Sequence, residues 1–263
     1  MEPNDNWIAL RRLTAARIGL ARSGASLATT PLLEFRLAHA RARDAVHAPL
    51  DEARLVADLG GLGLPVRAVA SEAPDRQTYL MRPDLGRRIA PEDGAALKKD
   101  AGRYDLALVI CDGLSARAVQ RHAAPVLAEL LPALRKQNVS IAPLTVVTHG
   151  RVAIGDAIAS LFGADCAVVL IGERPGLTAP DSMGAYLTWR PGAQTTDAER
   201  NCVSNIRPDG IGYAQAAAKL AYLIGTIRGR RLSGVALKDE SELRLDGPNS
   251  ARPRGSGDPA FAK

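Results

Sequence analysis

The stretch from Thr145 to Leu177 constrains the fold of this chain more than any other part of the sequence. It contains two runs of apolar residues that do not alternate with polar ones, and the apolar residues between these runs recur at helical spacing. This pattern predicts a strand, a helix and a second strand. Strands that are apolar on both faces are typical of parallel sheets covered by helices, so the stretch predicts an α/β fold.

A further strand and helix precede this unit. Tyr104–Cys111 is a continuous apolar run, and the turn Asp112-Gly113-Leu114-Ser115 leads into apolar residues at helical spacing that continue to about Lys136. Residues 104–171 therefore read β-α-β-α-β, which predicts three parallel strands joined by right-handed crossovers. The expected fold class is α/β, with a Rossmann-like, doubly wound, mainly parallel sheet preceded by a small helical N-terminal domain.

Four segments are predicted along the chain: a helical N-terminal region (1–62), an irregular connecting segment (63–101), a Rossmann-like domain (102–240) and a disordered tail (241–263). The first segment is too small to bury the apolar faces of its helices, so we expect it to contact another protein. The second is rich in proline and glycine, and such long irregular passages are either functional or linkers. Residues 201–210, which are rich in hydrogen-bonding side chains, are predicted to form a loop. The last segment has too little apolar content to order itself.

Composition excludes several classes of protein. No apolar run approaches the ~20 residues that a membrane span requires, and the first residues do not resemble a secretory signal, so a cytosolic protein is expected. The three cysteines are odd in number and widely spaced, which argues against a disulfide framework. The four histidines show no metal-ligand spacing, and we predict no metal site.

The chain is basic, with a net charge of +6 that comes mainly from arginine. Such a charge is compatible with nucleic acid, an acidic partner or a phosphate-bearing ligand. The arginines are scattered singly along predicted helices, without the interleaved aromatic residues of a base-stacking platform. Solvated helix faces explain them better than nucleic-acid binding does.

Two glycine-containing loops are expected at one edge of the sheet. His149-Gly150-Arg151 and the GERPG sequence at 172–176 each follow a predicted parallel strand, and ligands of open α/β sheets bind at that edge. The alternative is that both are ordinary turns between a strand and a helix. No G-x-G-x-x-G, P-loop or G-x-S-x-G motif is present, and no nucleophile or proton shuttle is evident. The residues by themselves therefore indicate a binding module.

Several segments together resemble the small (light) subunit family of ethanolamine ammonia-lyase. They are Leu10 to Asp51, RPDLGRR (82–88), GRVAIGDAIASLFGAD (150–165), LIGERPGL (170–177) and RNCVSNIRPDG (200–210). The resemblance covers nearly the whole chain to about Lys238. It implies a hetero-oligomeric lyase that uses adenosylcobalamin to convert ethanolamine to acetaldehyde and ammonia by a radical mechanism. In that family the large subunit carries the substrate site, so the resemblance implies no catalytic residue in this chain.

The resemblance also implies three cofactor contacts, at Val152 in GRVAIGD, Glu173 in IGERPG and Cys202 in NCVSN. Val152 is predicted at a helix N-terminus, where free amides favour an anionic or amide oxygen. Glu173 can accept hydrogen bonds from corrin amides or a ribose hydroxyl, whereas the thiol of Cys202 suits only van der Waals contact. Each position also has an ordinary structural explanation: helix-start packing, a surface carboxylate and a small buried side chain.

Two further expectations follow from the resemblance. The chain lacks the D-x-H-x-x-G pattern by which other cobalamin proteins donate a histidine to cobalt, so we expect the cofactor to keep its own dimethylbenzimidazole as the lower ligand. Some family members carry an N-terminal extension that directs them to a bacterial microcompartment, but this chain begins close to the first shared helix.

The rival hypothesis from a different class is a free-standing Rossmann-like domain that binds a nucleotide or regulates another protein.

Overall fold

The computed structural model describes residues 5–238. The predicted tail at 241–263 lies outside the described residues. The N-terminal elements are α1 (Asp5–Arg11), β1 (Arg22–Ser23), β2 (Ser26–Leu27), α2 (Thr29–His47) and α3 (Glu52–Gly60). β1 and β2 form a short antiparallel hairpin, and α3 begins where the Asp51 side chain accepts a hydrogen bond from the Arg54 amide at 3.1 Å. Such an N-cap satisfies one of the free N–H groups at a helix start.

The remaining elements alternate between strands and helices. In chain order they are β3 (Val66–Ala70), α4 (Arg76–Met81), α5 (Pro91–Leu97), β4 (Tyr104–Cys111), α6 (Ala116–Lys136), β5 (Leu144–Thr148), α7 (Ile154–Phe162), β6 (Ala164–Gly172), β7 (Met183–Trp189), β8 (Arg200–Ile206) and α8 (Tyr213–Arg230). Single 3₁₀ turns cover Leu85–Arg87, Lys98–Asp100, Asp197–Glu199 and Gly234–Ala236.

Strands β3 to β8 form one six-stranded mixed sheet in the order β3-β5-β4-β6-β7-β8. β3, β5, β4 and β6 are parallel, whereas β7 pairs antiparallel with both β6 and β8. Val109 at the centre of the sheet lies opposite Thr145 on one side and Val169 on the other. The predicted α/β class and the three predicted parallel strands are therefore confirmed.

Helices cover both faces of the sheet. On one face α3, α6 and α8 bury a large apolar cluster that includes Leu127 and Ile224, and on the other α5 and α7 bury a smaller cluster around Phe162. Full burial of a large apolar side chain stabilises the fold by about 1.5–3 kcal/mol. α7 packs on β4 and β6. The neighbouring surface of β7 and β8 is open to solvent, since Tyr186 is partly exposed and Cys202 is exposed. This open surface adjoins the carboxyl edge of the parallel strands.

The structure corrects several predictions made from the sequence. The predicted loop at 201–210 begins as β8, because a strand at the edge of a sheet can direct polar side chains to solvent on one face and bury apolar ones on the other. The 63–101 segment, predicted to be an irregular connection, holds two short helices, α4 and α5, after β3. His39, interpreted as a core histidine, is exposed, as are Leu33 and Leu37 on the same helix. The division of the chain into domains stays a prediction.

All three cysteines lie within residues 5–238 as free thiols. Cys111 and Cys166 are buried in strands, as expected for ordinary core thiols, and Cys202 is exposed. Within these residues no group of three or more histidine, cysteine or acidic side chains has the geometry of a metal site. No described helix combines the length and apolar character needed to cross a membrane.

Candidate functional site

A cleft of about 440 Å³ lies at the carboxyl edge of the parallel strands. It is lined by the turn after β4, the loop after β5, the end of β6, the middle of β7 and one residue of α4: Tyr79, Gly113, Leu114, Arg151, Val152, Ile171, Gly172, Glu173, Arg174 and Tyr186. Parallel strands bring the loops at their carboxyl ends to one edge of the sheet, which explains why these residues meet. Both loops that the sequence singles out, at 149–151 and 172–176, contribute to the cleft.

The three residues carried over from the family resemblance are placed unequally around this cleft. Val152 and Glu173 both line it. Cys202 does not; it lies on β8 directly opposite Tyr186, which does line the cleft. Residues directly opposite on paired strands share a face of the sheet, so Cys202 and Tyr186 extend the floor of the cleft across β7 and β8.

Glu173 is held in place by the backbone of β8. Its two carboxylate oxygens accept the amide N–H of Asn205 at 3.2 and 3.4 Å. A side chain at Gly184 would come within 2.9 Å of Glu173 Oε1, so glycine at this position leaves room for the carboxylate. A carboxylate can accept several hydrogen bonds, and Glu173 therefore retains acceptor capacity toward a ligand.

The Tyr186 and Cys202 side chains are both protonated near neutral pH. Burial, with a contribution from the neighbouring Cys202 thiol, raises the pKa of Tyr186 to about 12. Desolvation by the surrounding protein raises the pKa of Cys202, and the negative charge of Glu173 adds to this effect. Because the thiolate is the nucleophilic form of cysteine, Cys202 is not activated for attack.

Tyr79 forms the wall of the cleft that the sequence analysis missed. It is fully buried, and the guanidinium groups of Arg151 and Arg76 lie 4.1 and 4.9 Å from its ring centre. Its hydroxyl donates to the Gly150 carbonyl at 3.2 Å, while Arg151 Nη2 donates to the Tyr79 carbonyl at 3.1 Å. These contacts attach α4 to the loop after β5, so the 71–99 passage is part of the site.

A buried carboxylate ties the β4 turn to the β5 loop. Asp112 is 2% exposed, and its Oδ1 accepts the Gly150 amide at 3.1 Å while its Oδ2 accepts Arg76 Nη1 at 3.3 Å. Arg76 Nη1 also donates to the Gly113 carbonyl at 2.7 Å. Burial raises the pKa of Asp112, and the adjacent Arg76 charge opposes that shift. Because two loops and α4 are bonded to one another, the cleft is preorganised.

A second buried ion pair joins the α7 side of the cleft to the β8 side. Arg200 donates from Nη1 and Nη2 to the two oxygens of Asp156 at 2.8 and 2.7 Å, and Nη1 also donates to Thr188 at 3.1 Å. The side chains are 3% and 8% exposed. Asp156 lies one turn after Val152, and Arg200 lies two residues before Cys202 on the same face of β8. The pair therefore sets the separation between the two sides of the site.

This arrangement suits binding better than bond-making chemistry. Backbone amides, one carboxylate (Glu173) and two arginines (Arg151 and Arg174) line the cleft, together with apolar and aromatic surface. Within the described part of the chain, no histidine lines the cleft and no cysteine there is activated. Glu173, the carboxylate that lines the cleft, is bonded to the Asn205 amide, and no pair of a nucleophile and an adjacent base is found among the described lining residues.

Comparisons with known proteins agree with the resemblance seen in the sequence. A family model for the ethanolamine ammonia-lyase light chain matches residues 4–238. The ethanolamine ammonia-lyase small subunit of Azotobacter vinelandii is 54% identical over 249 residues, covering 93% of this chain and 92% of that protein. The protein of the same name from Ralstonia nicotianae is 51% identical over 243 residues, covering 91% and 90%. The corresponding protein of Rhodopseudomonas palustris is 54% identical over 235 residues, covering 89% and 90%. The chain belongs to the ethanolamine ammonia-lyase light chain family.

Proposed function

We propose that this chain is the small subunit of an adenosylcobalamin-dependent ethanolamine ammonia-lyase and that its cleft holds the lower face of the corrinoid. The observation that carries the proposal is the position of Val152 and Glu173. These two residues lie on loops that follow different strands, and the family resemblance implies a cofactor contact for each from a separate motif. Both nevertheless line one cleft. Cys202 extends the same surface through its pairing with Tyr186. We also propose a Rossmann-like topology for the sheet and its helices.

The residues of the cleft fit a corrinoid. The rim of a corrin ring carries uncharged amide groups, which match the Glu173 carboxylate as acceptor and the free amides at the start of α7 as donors. The open β7–β8 surface around Tyr186 offers flat apolar contact to the ring. When bound, the cofactor supplies a carbon radical by homolysis of its cobalt–carbon bond. In our proposal this chain binds and orients the ring and excludes water, and the large subunit handles ethanolamine.

The N-terminal region is the proposed contact with the large subunit. Trp7, Leu10 and Leu13 around α1 are 42, 46 and 84% exposed, and Leu33 and Leu37 on α2 are 57 and 52% exposed. Clusters of exposed large apolar side chains are typical of protein–protein interfaces. Burial against another subunit would remove this surface from water, which is the reason for assigning residues 1–62 to partner contact.

Co-expression with a large subunit of the same family tests the proposal. We expect a stable complex whose ultraviolet–visible spectrum of adenosylcobalamin changes on binding and changes again when ethanolamine is added. In Glu173→Gln the side chain can still accept the Asn205 amide but loses its charge. A hydrogen bond to a charged group contributes about 1 kcal/mol more than one to a neutral group, so corrinoid affinity should fall about fivefold.

The matched control is Glu129→Gln, the same chemical change at an exposed position on α6 at the opposite face of the sheet. Its corrinoid affinity should equal that of the unmodified complex. Failure of the two chains to co-purify, or an unchanged corrinoid spectrum, would favour the rival hypothesis of a free-standing nucleotide-binding or regulatory domain. That hypothesis predicts that the isolated chain binds a nucleotide, although no glycine-rich phosphate loop follows β4.

We propose further that the cofactor binds with its own dimethylbenzimidazole on cobalt and that no protein histidine replaces it. His149, the histidine next to the cleft, has Nδ1 3.1 Å from the Ala73 carbonyl and stacks on Tyr79, which supports a structural role. In the complex loaded with cob(II)alamin as a paramagnetic probe, nitrogen coupling in the electron paramagnetic resonance spectrum should not change when the protein is labelled with nitrogen-15. Labelling the dimethylbenzimidazole instead should change it. A change caused by protein labelling would refute base-on binding.

A further inference from the structure

A second cleft of about 450 Å³ adjoins the first and shares Arg151 and Val152 with it. Its other walls are the 3₁₀ turn that carries Arg87, the segment Thr195 to Asp197, and Arg200. The two walls meet where the Arg151 amide donates to the Gly86 carbonyl at 2.7 Å. The second cleft is thus continuous with the proposed corrinoid site but lies on the other side of Val152.

Two arginines in this second cleft have no acidic partner within the described residues. Arg87 is exposed and forms no ion pair there, unlike Arg88, whose Nε lies 2.7 Å from Glu72 Oε2. Within residues 5–238 the Arg151 side chain stacks on Tyr79 and hydrogen-bonds only through Nη2 to a carbonyl, and its buried Nε has no acceptor. Burying a hydrogen-bond donor without an acceptor raises the free energy of the folded state. In a native protein such a donor requires an explanation, for example a bound ligand.

Arg200, the third arginine that lines the second cleft, is paired with two carboxylates. Arg200 is bonded to Asp156 at 2.7 Å and to the exposed Asp197 at 3.3 Å. Asp197 lines the second cleft, and its carboxylate contacts Arg200. The positive charge that remains for a ligand therefore comes from Arg87 and Arg151.

Backbone donors point to the same class of ligand. The amides of Val152 and Ala153, both in the wall of the second cleft, have no hydrogen-bond acceptor within residues 5–238. Two free amides beside two arginines match the oxygens of a phosphate ester, which accept charge-assisted hydrogen bonds. A guanidinium is well suited to such a group because its donors are planar and permanently charged.

We propose that the second cleft binds the phosphodiester of the corrinoid's nucleotide loop, an inference that rests on the proposed function. The amide groups around the corrin ring are uncharged, whereas the phosphodiester that links the ring to its ribose and base is anionic. With the ring in the first cleft, the adjoining cationic cleft receives this anion, and Val152 lies between the two parts of the cofactor. Arg87 then acts as a specificity residue for corrinoids that carry a nucleotide loop.

The test compares two corrinoids on the assembled complex of the light chain with its large subunit. Adenosylcobalamin has the phosphodiester, and adenosylcobinamide lacks the whole nucleotide loop. We expect Arg87→Ala to weaken adenosylcobalamin binding about tenfold and to leave adenosylcobinamide binding unchanged, because only the first ligand loses a charge-assisted hydrogen bond. Arg87→Lys, which retains the charge, should recover part of the affinity. Dissociation constants come from spectroscopic titration of each pair.

Arg88→Ala is the matched control, since it removes the same charge from the neighbouring residue, which does not line the second cleft. It should leave the affinities for both corrinoids unchanged. If Arg87→Ala weakens both corrinoids equally, or neither, the phosphodiester assignment is wrong while the proposed function stands. If the unmodified complex binds neither corrinoid, the proposed function fails and this inference fails with it.

Discussion

Replacing Arg200 with alanine should lower the free energy of unfolding of this chain by about 3–5 kcal/mol, because the change leaves the buried Asp156 carboxylate without its partner. The pair is bidentate and nearly inaccessible to water, so solvent screens it little. The same change should weaken corrinoid binding, since the pair sets the separation between the Val152 turn and the Cys202 strand. Chemical unfolding of the full-length chain, followed by far-ultraviolet circular dichroism, measures the first effect.

Arg190→Ala is the comparison for this prediction. Arg190 pairs with Asp165 at 3.6 Å, but the two side chains are 69 and 52% exposed. An exposed ion pair contributes only about 0–1 kcal/mol, so the loss of stability should be small. The double variant Arg200→Met/Asp156→Leu removes both charges together and should be more stable than Arg200→Ala. If Arg200→Ala and Arg190→Ala lowered the free energy of unfolding equally, the buried ion pair would contribute no more to stability than the exposed one.

A methyl group at Gly172 should cost about 3 kcal/mol of stability, at the upper end of the usual cost of overpacking. A Cβ atom there would overlap the carbonyl oxygens of Ser115 and Asp112, which belong to the backbone and cannot rotate away. The turn after β4 would have to move, and Gly113 and Leu114 in that turn line the first cleft. Gly172→Ala should therefore reduce both the midpoint of thermal unfolding and the affinity of the complex for corrinoid.

Gly192→Ala is the corresponding control, because an added Cβ at that position meets no atom within 4 Å. Its stability should stay within about 0.5 kcal/mol of the unmodified chain, as is usual for surface substitutions. If Gly172→Ala were as stable as Gly192→Ala, the close packing of the β4 turn against the end of β6 would be unimportant for the fold.

The sequence predicted the central elements well because their apolar residues recur without interruption. Tyr104–Cys111 is a strand with the predicted bounds, and α6 ends at Lys136 as expected. β8 was not predicted, since an edge strand with polar residues on its open face has the composition of a loop. Tyr79 was missed for a different reason: the short helix α4 lies in a segment rich in proline and glycine, where periodicity is too brief to interpret.

By itself, the sequence determined the α/β class, the parallel direction of three central strands and the family. Unbroken apolar runs of this length are typical of strands buried on both faces, and the joint occurrence of the family's motifs is specific. It also marked Val152 and Glu173 as residues at the ends of strands. Only the tertiary structure decided that they line one cleft and that α4 closes it through Tyr79. It also placed in the adjoining cleft two arginines that have no acidic partner among residues 5–238. Such contacts join residues far apart in the chain, and local spacing carries no information about which distant side chains become neighbours.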